Sequence, residues 1–126
     1  MIKNFLIISC IGMNDRLGLR INKDFFIHNL NKENNNEQLV SEIANFLNVH
    51  SAQLDERFSV IVNQGPGSFS GIRVSLAVAK GLKIAKKIKL YGFNNRDLRV
   101  FNKENIEKLL KKNLVEKNLI KPVYLS

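Results

Sequence analysis

Phe58-Ser59-Val60-Ile61-Val62-Asn63-Gln64-Gly65-Pro66-Gly67-Ser68-Phe69-Ser70-Gly71-Ile72-Arg73 decides how this chain folds. Phe58 to Val62 is a short apolar run with β-branched side chains, which reads as a buried strand. Gln64 to Ser68 is a turn, where glycine permits positive φ and close backbone approach while Pro66 stiffens the path. Helical periodicity then takes over from about Ser70 to Lys86, and Ser68 or Ser70 can cap that helix with its hydroxyl. A strand that hands over to a helix through glycines presents unpaired N–H groups and partial positive charge, which suit a phosphate or carboxylate. Gly65, Pro66, Gly67, Ser68, Phe69, Ser70, Gly71 and Arg73 are therefore a candidate anion-binding loop. The G-x-x-x-x-G-K-[ST] pattern with its phosphate lysine is absent, and a tight turn is the plainer reading. Arg73, one turn in, is better placed to meet an acidic residue of a partner than an anion in the loop.

Upstream, Phe5 to Ile11 is another short apolar run ending at Gly12. Asn14-Asp15 marks a turn, Leu17, Leu19 and Ile21 alternate with Gly18 and Arg20, and Asn22-Lys23-Asp24 marks a second turn before a strand from Phe25 to Leu30. The three runs predict an antiparallel meander. Asn31 to Asn36 reads as a polar loop. Leu39, Val40, Ile43, Ala44, Phe46 and Leu47 fall at helical spacing and predict an amphipathic helix over 37–47. Downstream come a fifth strand over 88–93, a polar linker, a Lys-rich helix over about 103–112, and a tail from Lys121 to Ser126. Hairpins followed by helix, strand, helix, strand predict a three-layer α/β domain. Its mixed five-stranded sheet would have helices packed on it and the fourth strand parallel to the first. That topology is a ribonuclease H-like half.

The helix over 70–86 has unusually small residues. Val74, Ala77, Val78, Gly81 and Ala85 share one face, while Ile72, Leu76 and Ala79 form a second apolar strip. Glycine costs about 1 kcal/mol inside a helix, so a thin face points to close helix approach. One strip can pack on the sheet. The other needs a cover, supplied by the first helix, the C-terminal helix or a partner subunit.

The chain has 126 residues, enough for one ordinary domain, with a hydrophobic fraction of 44% and a charged fraction of 25% typical of a globular protein. No apolar run approaches membrane-spanning length, and Ile2 to Ile11 reads as a strand rather than a signal peptide, so the expected location is the cytoplasm. One cysteine excludes an internal disulfide framework, and no Cys/His cluster points to a metal. Cys10 reads as a buried hydrophobe. His28 and His50 have no local carboxylate or serine partner, Tyr124 reads as packing, and Asp15 and Asp24 read as turn residues. The net charge of +9 is unevenly spread. Residues 1–79 carry seven basic and seven acidic side chains, whereas residues 80–126 carry thirteen basic ones against Asp97, Glu104, Glu107 and Glu116. The asymmetry points to an anionic partner such as nucleic acid, with a merely solvated lysine-rich surface as the alternative.

Gly-Pro-Gly-Ser-Phe-Ser-Gly-Ile-Arg-Val from Gly65, followed by Ala79-Lys80-Gly81-Leu82, resembles the TsaB (YeaZ) family of bacterial tRNA threonylcarbamoyladenosine biosynthesis proteins. Pro122-Val123-Tyr124-Leu125 is similar to a segment near that family's C-terminus. The resemblance implies an actin-like ATPase N-terminal lobe over residues 1–93, with a basic helical segment over 94–126 in place of a second lobe. It further implies a non-catalytic scaffold or activating subunit with no catalytic residues and no metal, pairing with the catalytic TsaD subunit of the complex that modifies adenosine beside the tRNA anticodon. A TsaE-type ATPase would join them. The implied partner surface combines Leu39, Val40, Ile43 and Phe46 of one helix with Val74, Ala77, Val78, Gly81 and Ala85 of the other, and a homodimer can use the same surface. No cofactor of its own is implied, ATP being expected only at the partner interface. The sequence departs from the family in three places: Ser9-Cys10 follows the first strand where an acidic residue is usual, the second lobe is reduced, and Ser126 replaces a tail arginine. The alternative readings are a basic module binding tRNA through residues 80–126, or a nucleotide-phosphate-binding lobe. Neither involves a membrane.

Overall fold

The computed structural model describes residues 3–30, 36–112, 115–116 and 120–123. Strands β1 (Phe5–Ser9), β2 (Arg16–Ile21) and β3 (Asp24–Asn29) form the expected meander. β1 pairs antiparallel with β2, Phe5 opposite Arg20 and Ser9 opposite Arg16. β2 turns into β3 at Asn22 and Lys23, whose φ values of 51° and 76° are the left-handed pair that a two-residue hairpin of the right twist needs. Helix α1 (Asn36–Val49) then carries the chain to β4 (Ser59–Asn63), which lies parallel to β1. Helix α2 (Phe69–Lys86) carries it on to β5 (Lys89–Phe93), parallel to β4. After one 3₁₀ turn at Asn95–Asp97 comes α3 (Lys103–Lys111), capped by the Asn102 side chain accepting from the Asn105 N–H at 2.8 Å.

The five expected strands are all present, and a sixth joins them. The two-residue strand β6 (Val115–Glu116) pairs antiparallel with the end of β5, giving the order β3-β2-β1-β4-β5-β6. Two residues are too few to show a period, so the sequence could not announce this strand. Most of the polar loop expected over Asn31–Asn36 lies outside the described residues, as does Tyr124, and Asn36 opens α1.

Alternation along the central strands divides the apolar residues between two cores. Leu6, Ile8, Val60, Val62 and Leu90 face the side covered by α1 and α2. Phe5, Ile7, Ile61 and Phe93 face the other side, where Ile106 and Leu109 of α3 complete a smaller cluster. With helices on both faces, β1 and β4 are buried along their whole length, which explains why they read as continuous apolar runs.

Candidate docking face and glycine loop

The geometry separates the two apolar strips of α2. Ile72, Leu76 and Ala79 are buried against the sheet, and Ser75 is buried with them, its hydroxyl donating to the Ile72 carbonyl at 3.0 Å. Val78 is also buried. Ala77, Gly81 and Ala85 are exposed and Val74 half-buried, and a Cβ added at Gly81 would meet nothing within 4 Å. On α1, Leu39, Ile43 and Phe46 are core residues, while Val40 is 49% exposed. The nine residues of the expected partner surface therefore divide. Leu39, Ile43, Phe46 and Val78 hold the helices to their own sheet, and Val40, Val74, Ala77, Gly81 and Ala85 are left for contact from outside. A groove of about 690 Å³ lies beside them, lined by Val40, Ala44 and Leu47 of α1, Leu54 after it, and Val78 and Leu82 of α2.

The glycine loop packs against the chain's own backbone. The Ser68 N–H donates to the Ile11 carbonyl at 2.7 Å, tying the loop to the turn after β1. A Cβ on Gly71 would stand 2.7 Å from the Cys10 carbonyl oxygen, and one on Gly67 2.6 Å from the Ile11 Cβ. Only glycine allows the two backbones to close in this way. Ser68 is the cap expected of it, accepting from the Gly71 N–H at 3.4 Å, while Ser70 is exposed. Pro66 is half-buried, and Phe69 is exposed with the Arg73 guanidinium 5.1 Å from its ring centroid.

Behind the loop, the Asn63 side chain is fully buried and fully engaged. Its amide nitrogen donates to Ser9 Oγ at 3.1 Å and to Asn95 Oδ1 at 3.0 Å, and its carbonyl accepts from the Gly65 N–H at 2.9 Å. Gln64, also buried, binds the C-terminal strap: its Nε2 donates to the Lys121 carbonyl at 2.9 Å, and its backbone carbonyl accepts from the Val123 N–H at 2.7 Å. Gly65, at φ 97°, lies where an added Cβ would be 2.4 Å from the Val123 oxygen. Asn63 and Gln64 carry no sequence signal of their own beyond being polar residues at the end of a buried strand.

Cys10, Gly12, Asp15, Ser68, Ser70 and Gly71 enclose a pocket of about 60 Å³ at the start of α2. Burial pushes the Cys10 thiol up to about 12, with the nearby Asp15 charge adding to the effect. Asp15 accepts from the Gly12 N–H at 2.8 Å, and its carboxyl is raised above the ordinary range because burial outweighs the backbone N–H donors from Gly12 and Ile11. Small-molecule pockets run to about 300–1,000 Å³, and a phosphate placed here would meet a carboxylate. His28 acquires a partner that sequence proximity did not offer: its Nε2 lies 2.5 Å from Glu42 Oε2 of α1. His50 stacks on Phe26 at 3.8 Å between ring centroids and meets Phe46 edge-on. Among the described residues no cluster of three His, Cys, Asp or Glu side chains could hold a metal, and no helix is long and apolar enough to cross a membrane.

The family model described as TsaD, tRNA N6-adenosine threonylcarbamoyltransferase, matches residues 29–113, about two thirds of the chain. The chain belongs to this family. Within it, the TsaB/YeaZ assignment made from the glycine loop is supported by relatives of that name. The tRNA threonylcarbamoyladenosine biosynthesis protein TsaB of Buchnera aphidicola subsp. Baizongia pistaciae is 33% identical over 66 residues, which are 52% of this chain and 30% of that protein. YeaZ from Pseudomonas aeruginosa superposes with a TM-score of 0.67 at 16% identity, over 89% of this chain and 50% of the other. An uncharacterized protein with similarity to peptidase YEAZ, also from Pseudomonas aeruginosa, gives 0.66 at 17%, over 74% and 44%. These matches span half or less of each relative's length. At such identities the structures speak for the fold, an actin-like, ribonuclease H-like lobe.

Proposed function

We propose that this chain is a non-catalytic subunit in the synthesis of tRNA threonylcarbamoyladenosine, docking a TsaD-type catalytic subunit on the outer face of α1 and α2. The observation that carries the reading is the uncovered small-residue surface of α2 beside an apolar groove. Ala77, Gly81 and Ala85 on α2 and Val40 on α1 stay exposed although both helices are anchored by their other sides. A helix of small residues allows a second helix to approach closely, and apolar surface of this kind rimmed by polar residues marks an interface. The family match and the TsaB relative supply the class of partner.

The glycine loop is, in this reading, a structural clasp with no nucleotide of its own. Gly67 and Gly71 are closed against the turn after β1 and Gly65 against Val123, and the small pocket behind the loop holds the Asp15 carboxyl. ATP belongs to a partner, including the TsaE-type ATPase, and the working location is the cytoplasm. Residues 1–93 form the lobe proper, and α3 and β6 of the basic segment over 94–126 close one face and one edge of its sheet.

Size-exclusion chromatography with light scattering, on the chain alone and mixed with the TsaD-type subunit of the same organism, tests the docking. A heterodimer that persists at physiological salt is expected, since apolar contacts are little screened. A chain that elutes independently of that subunit would overturn the reading, and a homodimer that dissociates on mixing would place both states on the same face.

A further inference from the structure

We infer that the flank of α2 facing away from α1 is a track for the phosphate backbone of folded RNA, formed by Arg73, Lys80, Lys83 and Lys87. The inference rests on the tRNA-modification reading for the identity of the polyanion, and on the following observations for its place.

All four side chains are exposed; at about 100° per residue Arg73, Lys80 and Lys83 fall within roughly 80° of arc on one side of the helix, and Lys87 follows as its C-cap. At 1.5 Å per residue they extend along about 20 Å. Val78, Leu82 and Lys86, which line the groove with α1, lie on the opposite flank. RNA and a protein partner can therefore occupy the same helix at once.

The charge on this flank is uncompensated. α2 contains no acidic residue in its 18 positions. Among the described residues the acid–base contacts are His28–Glu42 and Arg57–Asp55, neither of which touches α2 or α3. Lys80 and Lys83 stand three apart and Lys83 and Lys87 four apart, spacings at which like charges repel. The helix dipole accounts for Lys83 and Lys87 near the C-terminal end but not for Lys80 in the middle, and it opposes Arg73 near the start. α3 carries as many lysines and differs in having glutamates among them. Its Lys103–Glu107, Glu104–Lys108 and Glu107–Lys111 pairs all have the four-residue spacing at which opposite charges support a helix. Of the thirteen basic residues in 80–126, those on α3 are thus explained as a solvated helix surface. Lys80 on α2, and Arg73 before it, are not.

Fluorescence anisotropy of a labelled, unmodified tRNA titrated with the full chain tests the proposal. Four phosphate contacts predict a log–log salt slope of about −2.8 to −3.6, or about 50- to 150-fold weaker binding at 200 than at 50 mM salt. The double variant Lys80→Gln, Lys83→Gln should halve the slope and weaken binding about tenfold or more at low salt. The charge-matched control Lys108→Gln, Lys111→Gln should bind as the parent does, with circular dichroism confirming that both are folded. Equal losses in the two variants, or a slope near zero, would overturn the track. Polyglutamate competing as well as unlabelled tRNA would reassign the flank to acidic protein surfaces. A parent chain that fails to bind tRNA while its heterodimer with the TsaD-type subunit still forms sinks this inference alone, and a parent chain that binds tRNA but forms no heterodimer sinks the docking reading alone.

Discussion

The two faces of the sheet are closed in different ways. On one, the single helix α3 seals a small core, with Ile106 and Leu109 fully buried against Phe5, Ile7, Ile61 and Phe93. On the other, two helices cover the sheet and still leave a groove between them, an exposed Val40 and a strip of small residues on α2 that stays exposed among the described residues. A helix spends its apolar surface where the fold needs it, so surface remaining after the core is full points outward to another molecule. The α3 side is structural, and the α1/α2 side is both structural and available.

This contrast can be broken by mutation. Leu109→Ala removes a fully buried side chain and should cost about 2–5 kcal/mol, read from the urea midpoint. Val40→Ala on the other face should cost no more than about 0.5 kcal/mol while weakening the heterodimer. Similar stability losses at both sites would erase the distinction between the faces. A second pair sharpens it at two glycines. Gly65→Ala puts a Cβ into the Val123 carbonyl at a left-handed φ and should destabilise by about 1–3 kcal/mol. Gly81→Ala adds a methyl to open space inside a helix and should stabilise by about 0.5–1 kcal/mol, whereas Gly81→Trp should leave the fold intact and abolish docking. Thermal melts beside the binding assay separate these outcomes.

The smallest effect expected is at Asp15. Its folded pKa lies above the ordinary value of 3.8, so its stabilising contribution is full below that value and is lost as pH rises through the folded pKa. Asp15→Asn keeps an acceptor for the Gly12 N–H but has no charge to bury. Across that window the parent should lose stability relative to the variant, measured as the difference between their urea midpoints. A difference that does not change with pH, or changes in the opposite sense, would contradict this account of the pocket.

Local pattern made much of this legible beforehand. The alternation in Leu17, Leu19 and Ile21, the helical spacing from Leu39 to Leu47 and the strand-to-helix handover at Gly65 place every major element within a residue or two of where it lies. The sequence could not rank the two apolar strips of α2, because periodicity reports a face and not its neighbour. Nor could it show that Gly12, Gly67 and Gly71 serve one contact between two loops far apart in the chain, or that Asn63 bonds Ser9 and Asn95 at once. His28 looked partnerless for the same reason, since Glu42 reaches it only after α1 folds over β3. The parts of the site missed in the sequence are those made by tertiary contact alone.

Hydrogen–deuterium exchange of the chain with and without the TsaD-type subunit tests the central claim most directly. Docking on the open face predicts added protection over 36–49 and 69–86, with 103–111 unchanged. Protection confined to 103–111, with α1 and α2 exchanging as in the free chain, would contradict it.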